Sequence, residues 1–307
     1  MTSSPLILEL KGNSLDDGPG IRTVVFFKGC PLDCVWCHNP ESKKPGVEIS
    51  FESKVCVGCH TCLETCTPKA LSLENPLFIN RDICNLCFDC VDNCPSCALE
   101  RIGRGMDISD IIDQVMKDKP FFDTSKGGVT FSGGEPTLNM AYLGRAAKGL
   151  REKGVHVLIE TCGQFNYDSF MELVYPHVDL IYFDIKIIDA NDHKKYCGLP
   201  NKTILENFKR LHRQYLKGGV KILPRTPLIP DITDTQENLS AILALYQEEQ
   251  VKTTQLMAYH PLWQEKNQKI GIPPVLTEEN KMGEWMSNER VKACEKIFIS
   301  GGITLEY

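Results

Sequence analysis

The sequence predicts an α/β protein, a parallel-stranded barrel or partial barrel with a small cysteine-rich unit inserted near its start. Three observations carry this. From about residue 103 onward, strand-like and helix-like stretches alternate, which implies parallel strands joined by helical crossovers. Twelve of the fifteen cysteines fall between Cys30 and Cys97, ahead of most of that region. Within that window, two groups of four cysteines repeat at a fixed offset of 28 residues.

The elements follow in order. IRTVVFFK, residues 21–28, is β-branched and aromatic and reads as a strand. GCPLDCVWCHNP follows directly, and NPESKKPGVEIS, residues 39–50, has the Pro, Gly and Ser content of a boundary. The cysteine repeat then runs to about residue 101. Beyond it, GGVTFSGG, VHVLIET, DLIYFDIK, VKILPRTP and TTQLMAYH read as strands. Residues 138–151, 167–175, 203–216 and 235–249 read as the helices between them. The third of these carries Ile204, Phe208, Leu211 and Tyr215 on one helical face. A polar helix near 276–288 and a last strand, KIFIS, complete the pattern. About six to seven β-α units suit a barrel or partial barrel. The predicted units are residues 1–49, holding the first strand and its cysteine loop, an insert at 50–101, and the rest of the barrel at 102–307.

Totals narrow the function. An apolar share of 42% over 307 residues can fill a real core. A formal net charge of −6 argues against nucleic acid as the main partner, because phosphate binding needs a basic surface. The N-terminal MTSSPLILEL lacks the basic start of a secretory signal, and no apolar run reaches ~18 residues. The expected compartment is the cytosol. In that reducing setting clustered cysteines read as metal ligands rather than disulfides.

In such folds the active site lies at the C-terminal ends of the strands. GCPLDC, SGGEP, ETCG, DIK and YH each close a predicted strand. The repeat Cys56, Cys59, Cys62, Cys66 and Cys84, Cys87, Cys90, Cys94 has the spacing C-x2-C-x2-C-x3-C. It is similar to the bacterial two-cluster ferredoxin pattern, in which the fourth cysteine reaches the other cluster. The resemblance implies two [4Fe–4S] clusters, one on Cys56, Cys59, Cys62 and Cys94, the other on Cys84, Cys87, Cys90 and Cys66. Zinc is the alternative, but four-cysteine zinc sites prefer two separated C-x2-C pairs. Cys97 is spare.

Cys30, Cys34 and Cys37, at C-x3-C-x2-C, leave one corner of a cube without a protein ligand. Catalytic metal sites keep such a position open. This loop resembles that of the radical S-adenosylmethionine (SAM) superfamily. DGPGIRTVVFFKGCPLDCVWCHNP, through Gly18, Gly20, Arg22, Phe26 and Gly29, resembles the signature of glycyl-radical-enzyme activating enzymes. The insert resembles the subgroup with two extra clusters.

The resemblance implies that SAM binds the open iron and is cleaved reductively to methionine and a 5′-deoxyadenosyl radical. That radical takes hydrogen from the Cα of a glycine in a glycyl radical enzyme. It implies cofactor contacts from Trp36, Cys37, His38, Gly133, Gly134, Glu135, Asp184, Ile185, Lys186, Arg225 and His260. Cys30, Cys34, Cys37 and Lys186 carry the catalytic roles. SGGEP would cradle the SAM amino group, its glycines letting the backbone approach the ligand. Lys186 would lie near the SAM carboxylate or ribose. In some relatives an aspartate placed like Asp184 helps hold a monovalent cation, which Glu160 and Thr161 would join. Asp17 would grip the incoming glycine loop. A flavodoxin or ferredoxin would supply electrons. Cys162, Cys197 and Cys294 have no assigned role. Two other readings are a radical SAM enzyme acting on a small molecule and an iron–sulfur electron-transfer protein.

Overall fold

The computed structural model describes residues 4–273 and 281–306. The fold is mixed α/β. The strands are β1 (Leu6–Ser14), β2 (Arg22–Phe27), β3 (Glu48–Phe51), β4 (Leu99–Ile102), β5 (Arg104–Gly105), β6 (Gly128–Gly133), β7 (His156–Thr161), β8 (Leu180–Asp184), β9 (Lys221–Leu228), β10 (Thr253–Ala258) and β11 (Thr304–Leu305). Nine form one sheet, ordered β11-β10-β9-β8-β7-β6-β2-β1-β5. Neighbours from β2 through β11 pair parallel. β1, which the sequence reading missed, runs antiparallel to β2 and covers its outer edge.

The two faces of the sheet differ, because successive side chains alternate. Val129, Phe131, Val157 and Ile159 point into the main core beneath the helices. Their neighbours Leu158, Leu180, Tyr182 and Leu223 form a separate small cluster on the other face. That second face becomes polar toward the strand ends, with Ser132, Glu160, Asp184 and Arg225. A parallel sheet with both faces covered must place its functional groups at the strand ends.

The insert holds two one-turn helices, α1 (Thr61–Thr65) and α2 (Asp89–Asp92). Its ends are joined by the β3–β4 ribbon, with Ile49 opposite Arg101 and Phe51 opposite Leu99. The 28-residue repeat is visible in the backbone. Left-handed φ values occur at Gly58 and Leu86, at His60 and Phe88, and at Lys69 and Cys97. Each pair is one repeat apart, so both halves make the same turns around their cysteines.

The crossover helices are α3 (Ile108–Met116), α4 (Lys119–Ser125), α5 (Met140–Glu152), α6 (Tyr167–Leu173), α7 (Ala190–Cys197), α8 (Lys202–Tyr215), α9 (Gln236–Glu248), α10 (Trp263–Lys269) and α11 (Asn288–Ser300). KIFIS is the C-terminal part of α11, not a strand. Ser287 caps the helix by accepting from the Arg290 amide, and Cys294 and Phe298, four apart, are both buried. That spacing fits a helical face and not the alternation of a strand. The helix expected near 276–288 falls partly outside the described residues. Within 281–287 there is only a 3-10 turn, Lys281–Gly283. Among the described residues no helix is long and apolar enough to cross a membrane.

Candidate active site

The three-cysteine loop leaves the end of β2 and is pinned on two sides. Gly29 N donates to Ser42 O at 2.6 Å and Cys30 N to Lys43 O at 3.0 Å. Opposite, Asp33 N donates to Cys197 O at 2.9 Å and Val35 N to Tyr196 O at 3.0 Å, at the end of α7. Trp36 is buried in the main core and anchors the loop from within rather than lining its surface. The Cys30, Cys34 and Cys37 thiols lie close enough to act on one another. Burial, then the Cys34 and Cys30 thiols, push the Cys37 thiol up to about 12.

Two thiols that the sequence left without a role border this group. Donation from Cys197 holds the Cys34 thiol below its ordinary value against the cost of burial, and Lys186 adds to the effect. Cys162 lies beside Cys30 and is pushed well above its ordinary value by that contact and by burial. Cys162 lies in ETCG, at the site end of a strand, whereas only proximity in space reveals Cys197.

The SGGEP loop rests on the base of the cysteine loop. A Cβ on Gly133, which has φ +109°, would lie 2.4 Å from Phe27 N and O. One on Gly134 would lie 2.2 Å from Gly29 O. These glycines are therefore required by chain-to-chain contact, a firmer reason than the ligand approach inferred from sequence. Glu135 is 1% exposed. Its Oε1 accepts from Thr137 N at 3.1 Å, Thr137 Oγ1 at 2.7 Å and Thr161 Oγ1 at 2.9 Å. Its Oε2 accepts from Cys162 N at 2.7 Å. The carboxylate is thus committed to tying the ends of β6 and β7 together. Gly133 and Gly134 are the partly open residues of this loop.

A charge network crosses four strand ends. Ser132 Oγ donates to Glu160 Oε2 at 2.6 Å, and Arg225 Nη1 donates to Glu160 Oε1 at 2.7 Å. Arg225 Nη2 and Nε donate to Asp184 Oδ1 at 3.1 and 3.3 Å. Lys186 Nζ donates to Asp184 Oδ2 at 3.0 Å. Burial acts to raise Asp184, but Lys186 and Arg225 hold it below its ordinary value. Two carboxylates and two cations balance. Arg225 already supplies positive charge between Glu160 and Asp184, and Thr161 gives its hydroxyl to Glu135.

Burial would lower Lys186, but Asp184 and the thiols of Cys34, Cys162 and Cys197 outweigh it and keep the lysine charged. Lys186 stands beside the cysteines, where it offsets thiolate charge. Ile185 is buried, and its amide donates to Arg225 O at 2.8 Å. The His38 and His260 rings lie tilted against each other at 34° with centroids 4.1 Å apart, and Trp285 lies 5.5 Å beyond His260. His38 Nε2 and His260 Nδ1 are buried without a partner. Burial, then His260 and Lys266, push His38 down to about 4, so the pair is neutral. Asp17 lies away from this end, before β2, bonded through its carboxylate to Ser14.

In the insert the cysteines sort into two sets. One cavity, of about 240 Å³, is lined by Cys56, Cys59, Cys62 and Cys94. A smaller one is lined by Cys66, Cys84, Cys87 and Cys90. Burial and then Cys66, Cys84 and Cys87 push Cys90 up to about 11. Among the described residues no three side chains of metal-binding type close on a single ion position. Four thiols lining one cavity are a set of donors that suits a [4Fe–4S] cube. One buried thiol, Cys34, and two partly buried ones, Cys30 and Cys37, with Lys186 acting on Cys34, suit an anionic cube with one open corner.

Comparison with known proteins gives the family. Residues 84–241 match the Radical SAM superfamily, and residues 16–73 match a 4Fe-4S single cluster domain. The class is an iron–sulfur, SAM-dependent enzyme. The chain is 39% identical to an isethionate sulfite-lyase activating enzyme of Nitratidesulfovibrio vulgaris, over 82% of this chain and 83% of that protein. It is 36% identical to a trans-4-hydroxy-L-proline dehydratase activating enzyme of Clostridioides difficile, over 87% and 88%. A radical SAM methyltransferase from Sphaerobacter thermophilus shares the fold, with TM-score 0.54 and 13% identity, over 99% of this chain and 76% of that one. The chain belongs to the glycyl-radical-enzyme activating enzymes of the radical SAM superfamily.

Proposed function

We propose that this activating enzyme works with three [4Fe–4S] clusters. One sits on Cys30, Cys34 and Cys37 with SAM at the open corner, and two sit in a ferredoxin-like insert. The observation that carries the insert assignment is the exchange of fourth cysteines between the two cavities, Cys94 joining the first set and Cys66 the second. Residues 1–49 and 102–307 then form a partial barrel of the radical SAM kind, and 50–101 the insert.

A reduced cube beside bound SAM supplies the electron that cleaves its sulfonium, giving the 5′-deoxyadenosyl radical that takes hydrogen from the partner's glycine. The chain's own residues prepare that event. Cys30, Cys34 and Cys37 hold the cube, and Lys186 balances its charge. Main chain at Gly133 and Gly134 and the unpartnered nitrogens of His38 and His260 face the ligand. Glu135, Asp184 and Arg225 lock the strand ends that carry these groups and exclude water by burial. A flavodoxin or ferredoxin delivers electrons through the insert, and the enzyme works in the cytosol. Relatives equally similar over most of the chain are named for partners as different as a lyase and a dehydratase. Overall identity therefore does not select the partner's chemistry.

The test is anaerobic. Reconstituted protein should hold about twelve iron atoms, four for each cube. With dithionite and SAM it should form 5′-deoxyadenosine. With a candidate partner it should raise a glycyl EPR signal. About four iron atoms per chain would refute the three-cluster assignment.

A further inference from the structure

α10 touches three parts of the molecule at once. Its residue Lys266 reaches the chain just after the last cysteine of the loop. Nζ donates to His38 O at 3.0 Å and to Asn39 Oδ1 at 2.9 Å, and pairs with Glu41 at 3.3 Å. Glu265 and Lys269, four apart and so on one helical side, face the insert. They pair with Lys54 at 3.1 Å and Glu52 at 2.5 Å. Arg81, between the two cysteine groups of the insert, donates to Ile49 O at 2.9 Å and Lys269 O at 3.5 Å. Gly271 makes room for it, since a Cβ there would lie 2.2 Å from Arg81 Nε. The strand end that precedes the helix carries His260, and Trp263 Nε1 donates to Tyr259 OH at 2.6 Å.

The exposed pairs add little by themselves. Lys266 differs because it binds main chain. A lysine bound to a carbonyl and an amide oxygen fixes the path of a loop rather than only its charge. That path leads straight to the His38–His260 ring contact.

We propose that α10 couples the seating of the insert to the SAM site, with Lys266 as the positioning residue. When the insert is docked through Arg81, Glu52 and Lys54, Lys266 holds the segment after Cys37 in the register that brings His38 against His260. SAM affinity then depends on contacts made by the insert. The inference rests on the functional reading above.

The experiment uses the reconstituted holoenzyme and reads SAM affinity and the SAM-induced change in the EPR spectrum of the reduced cluster. Lys266→Met should weaken SAM binding about tenfold, the size of one lost charge-assisted bond, and alter the SAM-bound spectrum. Lys266→Arg should restore most of both. Arg81→Met, remote from SAM, should shift affinity in the same direction by a smaller factor. The double variant should be no weaker than Lys266→Met, because both act through one element. Wild-type affinity in Arg81→Met, or additive effects in the double variant, would overturn the coupling, and both remain readable if Lys266→Met loads less iron. A wild type that takes up iron yet shows no SAM-induced change overturns the functional reading instead.

Discussion

The parallel sheet and the insert make opposite use of their side chains. In the sheet, Val129, Phe131, Val157 and Ile159 are wholly covered, and the main core extends under every crossover. In the insert the buried cluster is small, and two of its members, Cys66 and Cys90, are cysteines in the cavities. Cys56, Cys59 and Cys87 remain exposed. Non-glycine residues such as Leu86 and Phe88 hold left-handed backbone there, which costs about 1–2 kcal/mol each. A unit of this size with so few apolar contacts needs covalent or metal staples. The body is stabilised by burial; on the three-cluster proposal, the insert is stabilised by what its thiols bind.

The largest expected effect separates the site from both scaffolds. Cys34→Ala should abolish SAM cleavage and partner activation, while the thermal transition of the body stays where it was. If radical formation survives, the three-cysteine loop is not the SAM-cluster site. Next, anaerobic iron removal should open the insert selectively. Proteolysis within residues 52–98 should rise about a hundredfold or more, the result of losing several kcal/mol of metal-linked folding energy. The sheet should keep its far-UV circular dichroism. Equal protection before and after would show that the insert stands without its clusters.

A third change sharpens the picture of the body. Arg225→Met strands Glu160 and Asp184 beside each other without the guanidinium between them. Removing one partner from a buried pair costs about 3–5 kcal/mol, measurable as a fall in denaturation midpoint. Arg225→Lys should recover part of it, since it keeps the charge but not the fork.

The smallest effect is a pH slope. Burial, then nearby Arg22, holds His156 below its ordinary value, and burial does the same to His212. The folded body favours their neutral forms. That stability is fully present above the unfolded value of about 6.5 and is lost as pH falls toward each folded value. The body's melting temperature should decline between pH 7.5 and 5, and His156→Asn should flatten the slope. A flat wild-type profile would remove both histidines from the account.

The comparison also explains what could be read in advance. Strand ends were legible because SGGEP, ETCG and DIK terminate runs of β-branched residues. The repeat was legible because cysteine spacing is local. β1 was missed because its apolar stretch, LILEL, is short, although Gly12-Asn13 at its end and DDGPG between it and β2 are turn signals. KIFIS misled because five residues cannot separate a helix end from a strand. Glu135 and Arg225 looked like ligand contacts, yet both are consumed by partners 26 to 65 positions away in sequence. Cys197 and Lys266 carry no local signature. Their importance lies in neighbours that only folding supplies.

The shared cysteines of the insert have one more consequence. Each cavity draws three cysteines from one repeat and its fourth from the other. The halves are interlocked, like two links that close only together. Trimming the chain to one repeat would leave neither set complete. Oxidative damage to a single thiol at Cys66 or Cys94 would reach across to the neighbouring repeat's site. If each cavity holds a cluster, as proposed, the insert is gained or lost as a whole, and a version with one cluster is not a halfway state of this architecture.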